Sequence, residues 1–138
     1  MRRGLIVLRG SFRRFADYAG YIRAILDEFS DIISWETVEV FEAVPSEGFI
    51  RGTIMFIDGS TLSFLEYVKT TGNKPVKIKY RYNYTDRNSR LIFRYDNAPH
   101  HREIKTFPHH KHLPNNKVEP TAEPNLKTIL EEITTHIK

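Results

Sequence analysis

The sequence predicts an α+β fold: one antiparallel sheet of about five strands, laid out as a meander, with a helix near each end of the chain. Three observations predict it. Apolar residues recur at three- and four-residue spacing near both ends. Between residues 37 and 96 the period changes to two. The links joining the two-period stretches are too short to hold crossover helices, so neighbouring strands run antiparallel. At 138 residues the chain can bury a core of its own, and 1–138 is expected to form a single domain.

The first ten residues, MRRGLIVLRG, contain an apolar run of only four residues, at 5–8. That is short of the roughly 7 to 15 residues of a signal-peptide core, so an N-terminal strand or extended segment is expected. A helix is expected over 12–29, with Ser11 as its cap and Phe15, Ala19, Ile22, Leu26 and Phe29 as one apolar stripe. Arg13, Arg14 and Arg23 fall elsewhere on it and suit a solvated face. Strands follow at 37–44, 48–57, 60–69, 76–84 and 90–96. Asp58-Gly59, between two apolar strands, is the strongest hairpin signal.

Two strands carry more than fold information. In the fourth, Val76, Ile78, Tyr80, Tyr82 and Tyr84 alternate with Lys77, Lys79, Arg81 and Asn83, giving an aromatic face and a cationic face. A core face and a solvent face account for most of this pattern; a ladder ending in Tyr82 and Tyr84 can also reach a cleft edge, where the hydroxyls would contact phosphate or the rings stack on a base. In the fifth, Arg94 and Asp96 lie about 7 Å apart on one face, near enough to share a site. Glu66 follows Leu62 and Phe64 on their strand face, where an acid needs a partner: an arginine such as Arg94, or a role as a proton carrier.

Residues 97–120 hold Pro99, Pro108, Pro114 and Pro120 and read as a long loop, the kind that is either functional or disordered. Its content favours function. Five of the six histidines, His100, His101, His109, His110 and His112, fall within 91–113, LIFRYDNAPHHREIKTFPHHKHL. The chain closes with a helix expected over 124–137, Pro124 in its first turn and Leu126, Ile129, Leu130, Ile133 and Ile137 as its stripe.

Composition bounds the chemistry. The absence of cysteine excludes disulfides and thiolate metal sites and suits a cytoplasmic protein. No apolar run approaches the ~18 to 20 residues of a membrane span. A formal charge of +4 favours an anionic partner, nucleic acid being the commonest. No GxSxG, P-loop or GxGxxG is present.

Metal-independent RNA cleavage needs a base for the ribose 2′-hydroxyl, an acid for the leaving 5′-oxygen and cations for the pentacovalent phosphorus. Histidine suits both proton roles near neutrality, and arginine or lysine the third. The candidate catalytic residues are therefore His100, His101, His109, His112, Arg94, Asp96 and Glu66. The candidate RNA contacts are Lys79, Arg81, Tyr80, Tyr82, Lys111 and His110. No cofactor is required by this reading. A second reading places a transition metal on His109, His110 and His112, with Asp96 or Glu103 adding an oxygen, for a metal-dependent nuclease or phosphotransferase. A third is non-catalytic binding of RNA or protein.

From residue 66 onward the chain resembles the TumE family, toxins of prokaryotic toxin–antitoxin pairs. The resemblance rests on Glu66-Tyr67, KYRYNYTD at 79–86, LIFRYDNAPHH at 91–101, FPHHKHL at 107–113 and EPNLKTILEEI at 123–133. It implies a small cytoplasmic toxin whose protein partner is a cognate antitoxin. The family pattern commonly carries a histidine in the YRYxY strand where this chain has Asn83. If that histidine were the base, this chain would use another residue or be impaired. An exposed sheet edge is compatible with a homodimer.

Overall fold

The structure, a computed structural model, describes residues 14–137. Helix α1 (Phe15–Glu28) is followed by a single 3-10 turn (Ser30–Ile32). The sheet strands are β1 (Ile33–Val44), β2 (Glu47–Phe56), β3 (Thr61–Thr71), β4 (Lys74–Thr85), β5 (Leu91–Asp96), β6 (His110–Leu113) and β7 (Lys117–Pro120). A second 3-10 turn (Pro114–Asn116) joins the last two strands, and helix α2 (Leu126–His136) ends the chain. The strands form one sheet in sequence order, every neighbouring pair antiparallel. The predicted meander flanked by two helices is the observed fold.

Two strands exceed the expectation, and both lie in the segment predicted to be loop. Turns occupy residues 99–108, and β6 and β7 then form a short hairpin on β5. Each is only four residues long, bounded by Pro108, Pro114 and Pro120. Pro120 is tolerated because it is the last residue of the outermost strand. Ser11 and the expected N-terminal strand lie outside the described residues.

Both helices cover the same face of the sheet. In α1 the buried residues are Phe15, Tyr18, Ile22, Ile25 and Leu26, a three/four-spaced stripe. Asp17 accepts the Arg14 backbone N–H at 3.1 Å in its first turn, and the Phe15 N–H reaches the Pro45 carbonyl at 2.7 Å. In α2, Asn125 rather than Pro124 starts the helix. Its side chain accepts the Thr128 N–H at 2.9 Å while the Thr128 hydroxyl accepts the Asn125 N–H at 3.1 Å, a reciprocal cap. Leu126, Ile129, Leu130 and Ile133 then join Ile50, Ile54, Leu62, Phe64 and Phe93 in the core. Helix α1 seats closely on β2 at Gly48. A Cβ there would stand 2.3 Å from the Phe41 carbonyl oxygen and 2.6 Å from the Phe15 ring. Gly48→Ala should therefore cost about 1–3 kcal/mol by overpacking. A urea midpoint equal to that of the wild type would contradict this.

The two faces of β4 are not as the simple alternation predicts. Tyr67 pairs with Lys79 but Val68 pairs with Lys77, so Ile78 is an extra, bulged residue. Beyond the bulge the alternation reverses. Val76 and Ile78 become exposed, and Lys77 turns to the covered face beside Tyr80, Tyr82 and Tyr84.

Candidate active site

The chemically capable residues divide between the two faces of the sheet. On the helix-covered face, Glu66 is fully buried and accepts hydrogen bonds from the hydroxyls of Tyr18 and Tyr82. The Tyr82 oxygen in turn accepts from Lys77 Nζ at 2.8 Å, and the same ammonium donates to the Pro124 carbonyl. Burial lowers the Lys77 pKa, opposed by the negative charges of Glu66 and Glu123. Burial, then the charge of Glu66, hold the Tyr18 and Tyr82 phenols well above their ordinary range. His109 belongs to this side: its Nδ1 lies 2.9 Å from the Tyr80 hydroxyl and its ring stacks on the Tyr80 ring at 5.8 Å.

Four sequence expectations are corrected by this placement. Glu66 does not pair with Arg94, because the two side chains lie on opposite faces. Tyr80 and Tyr82 are buried in the core and offer no surface to RNA. Lys111 reaches Glu132 on α2 at 2.9 Å and so faces the helices. His109 cannot join His110 and His112 in a ligand set, since neighbouring residues at the start of a strand point to opposite faces.

On the uncovered face the register aligns the remaining candidates. Arg81 pairs with Asp96, Asn83 with Arg94, Arg94 with His112 and Asp96 with His110. In an antiparallel ladder directly opposed residues share a face, so β4, β5 and β6 contribute to one patch. Asp96 is its centre. Its Oδ2 takes the Arg94 Nε at 3.3 Å and lies 3.5 Å from His112 Nε2. Its Oδ1 accepts the Ala98 N–H at 3.0 Å and lies 2.8 Å from His110 Nε2. The turn after β5 returns His101 to the patch, 5.1 Å from the His110 ring and 5.6 Å from the His112 ring.

Beside this knot is a cleft of about 290 Å³ lined by Leu65, Lys79, Arg81, Arg94, Asp96, Ala98, His100 and His112. Lys79, Arg81 and His100 are exposed at it. Burial lowers the His112 pKa, and the Arg94 charge lowers it further against the pull of Asp96. A cleft with two exposed cations, a third held by a carboxylate, and imidazoles on its wall can bind a phosphodiester and move protons beside it. Asn83 lies opposite Arg94 on this face, two ladder positions from Arg81 and outside the cleft's lining.

The sequence-family comparison agrees with what the segment around this cleft suggested. The family model described as Toxin TumE matches residues 22–137. The chain belongs to the TumE toxin family. The match takes in the second half of α1, all of α2 and the seven strands of this TumE-family chain, so it covers the cleft and, apart from Tyr18, the buried Glu66 cluster. No curated protein and no solved structure matches the chain. Among the described residues, no helix of this TumE-family toxin is long and apolar enough to cross a membrane.

The sequence identified His100, His112, Arg94, Asp96, Lys79 and Arg81, which converge on the cleft. It missed the face assignment of the histidines. The signal was present in part: His110 and His112 are two residues apart, which on a strand gives one face, but only once 110–113 is taken as a strand.

Proposed function

We propose that this TumE-family toxin cleaves RNA in the cleft on the uncovered face and that a cognate antitoxin neutralises it. The observation that supports this reading is the convergence of Lys79, Arg81, Arg94, His100 and His112 on one concave surface of a small toxin. RNA is polyanionic, and its self-cleavage chemistry needs only proton transfer and charge. In the reaction proposed, His112 takes the proton of a ribose 2′-hydroxyl. The 2′-oxygen attacks the adjacent phosphorus, the bond from phosphorus to the 5′-oxygen breaks, and His100 gives that oxygen its proton. The products are a 2′,3′-cyclic phosphate and a 5′-hydroxyl. Lys79 and Arg81 hold the phosphate oxygens as charge accumulates. Arg94 holds Asp96, which positions His112. Every atom in this sequence comes from RNA and side chains, so the reaction proceeds in EDTA.

The cations give a separate test. Lys79→Ala and Arg81→Ala should each weaken RNA binding similarly across sequences and reduce the salt slope by about one. Fluorescence anisotropy with a labelled single-stranded RNA at several salt concentrations reads both. Unchanged affinity and slope in the double variant would remove this face as the RNA surface. Co-expression with the protein encoded beside the toxin should restore growth, and growth arrest that persists would count against that partner.

A further inference from the structure

We propose that His101, His110 and His112 form a site for one divalent transition-metal ion of the zinc class, with Asp96 beside it as an oxygen donor. One ligand atom from each histidine lies within 4.8 Å of the other two. Tetrahedral ligation at ~2.0–2.1 Å needs nitrogens roughly 3.4 Å apart, so the triangle has to close by about 1.4 Å at most. Modest ring movements achieve that, and His101 sits in a segment of turns rather than on a strand.

The hydrogen bonds already present prepare these imidazoles as ligands. His110 Nδ1 lies 2.9 Å from the Pro108 carbonyl oxygen. A carbonyl only accepts, so Nδ1 carries the hydrogen and the neutral ring has its lone pair on Nε2. That Nε2 is buried, in a residue only 1% exposed, and has no hydrogen-bond partner among the described residues. Asp96 Oδ1 lies 2.8 Å from it, within ion-pair distance but not aligned as a hydrogen bond. Two electron-rich atoms this close in a buried place call for a cation near them. His101 is oriented the same way, its Nδ1 lying 3.3 Å from Glu103 Oε2, which leaves Nε2 as the donor. Imidazoles anchored through the far nitrogen by a carbonyl or a carboxylate are the usual arrangement of metal-binding histidines. Three imidazole nitrogens and one carboxylate suit zinc and its first-row neighbours rather than calcium or magnesium. Arg94 and, across the ladder from Asp96, Arg81 are cations that oppose an ion there; the charge of Arg94 is already engaged by Asp96, and Arg81 is exposed to solvent.

The inference stands on this cluster and not on the ribonuclease reading: an ion held by His112 would occupy the imidazole that reading uses as its base, so zinc would inhibit that cleavage, and the test of the site uses no RNA. Untagged full-length protein is stripped with chelator, dialysed and titrated with zinc by calorimetry, alongside His101→Ala and His109→Ala. The wild type and His109→Ala should each bind one zinc per chain with equal affinity. Loss of an anchoring partner alone typically weakens such sites about 10- to 100-fold, so His101→Ala, which loses a ligand, should bind about 100-fold more weakly or worse. Because His101 is partly exposed, its replacement leaves the fold intact, and circular dichroism checks this. Zinc should also raise the Tm of the wild type more than that of His101→Ala. No saturable zinc binding by the wild type, or equal binding by His101→Ala, would overturn the site.

Discussion

Replacing His112 with alanine is expected to abolish growth arrest and to lower RNA cleavage by about 10²- to 10⁴-fold, the range that a positioned proton-transfer group contributes, while the fold persists. Replacing His109 is expected to leave cleavage intact. The two residues are three positions apart in one histidine-rich stretch, yet they face opposite sides of the sheet. His112 lines the cleft with Arg81 and Lys79. His109 stacks on Tyr80 and has Glu123 Oε1 3.9 Å from its Nε2, on the side that the helices cover. Its loss should cost about 1 kcal/mol of stability, the worth of one ordinary hydrogen bond. Growth curves after induction and gel assays on purified variants read the activities. Equal inactivation by both substitutions would mean that the division between the two faces does not govern activity.

The second large effect is on stability. Glu66→Ala should lower the unfolding free energy by about 3–5 kcal/mol, as happens when one partner of a buried charged group is removed. The substitution takes away the acceptor of two tyrosine hydroxyls and the charge that faces the Lys77 ammonium through Tyr82. Lys77 would then have Glu123, at 3.8 Å, as its remaining carboxylate. Glu66→Gln retains one acceptor oxygen and should cost less. Urea unfolding followed by circular dichroism measures both. If Glu66→Gln is as stable as the wild type and yet fails to cleave RNA, Glu66 carries a proton rather than the fold.

Much of this architecture is legible in the amino-acid order because its signals are local. The stripes of α1 and α2, the alternation through β2 and β3, and the Asp58-Gly59 turn each follow from spacing within a few residues. Gly59 indeed adopts φ +87°. What was not legible depends on contacts distant in sequence. The bulge at Ile78 is an outcome of pairing with β3, and without it Lys77 reads as part of the cationic face. Strands β6 and β7 have weak strand propensity and three flanking prolines, and they exist because β5 offers them an edge. Once β6 is in place, alternation alone sorts His110 and His112 from His109 and Lys111. The turn that brings His101 back to His110 has no signature in spacing. The cleft was thus recognisable as a set of residue types, while its membership was decided by the sheet.

The cleft on the uncovered face is proposed to cleave RNA with its own side chains. The most direct test incubates EDTA-treated, untagged protein with total cellular RNA, comparing the wild type with His112→Ala and His109→Ala. Cleavage by the wild type and by His109→Ala, with none by His112→Ala, is the predicted result. RNA left intact in every lane, or cut as fast by His112→Ala as by the wild type, would contradict it.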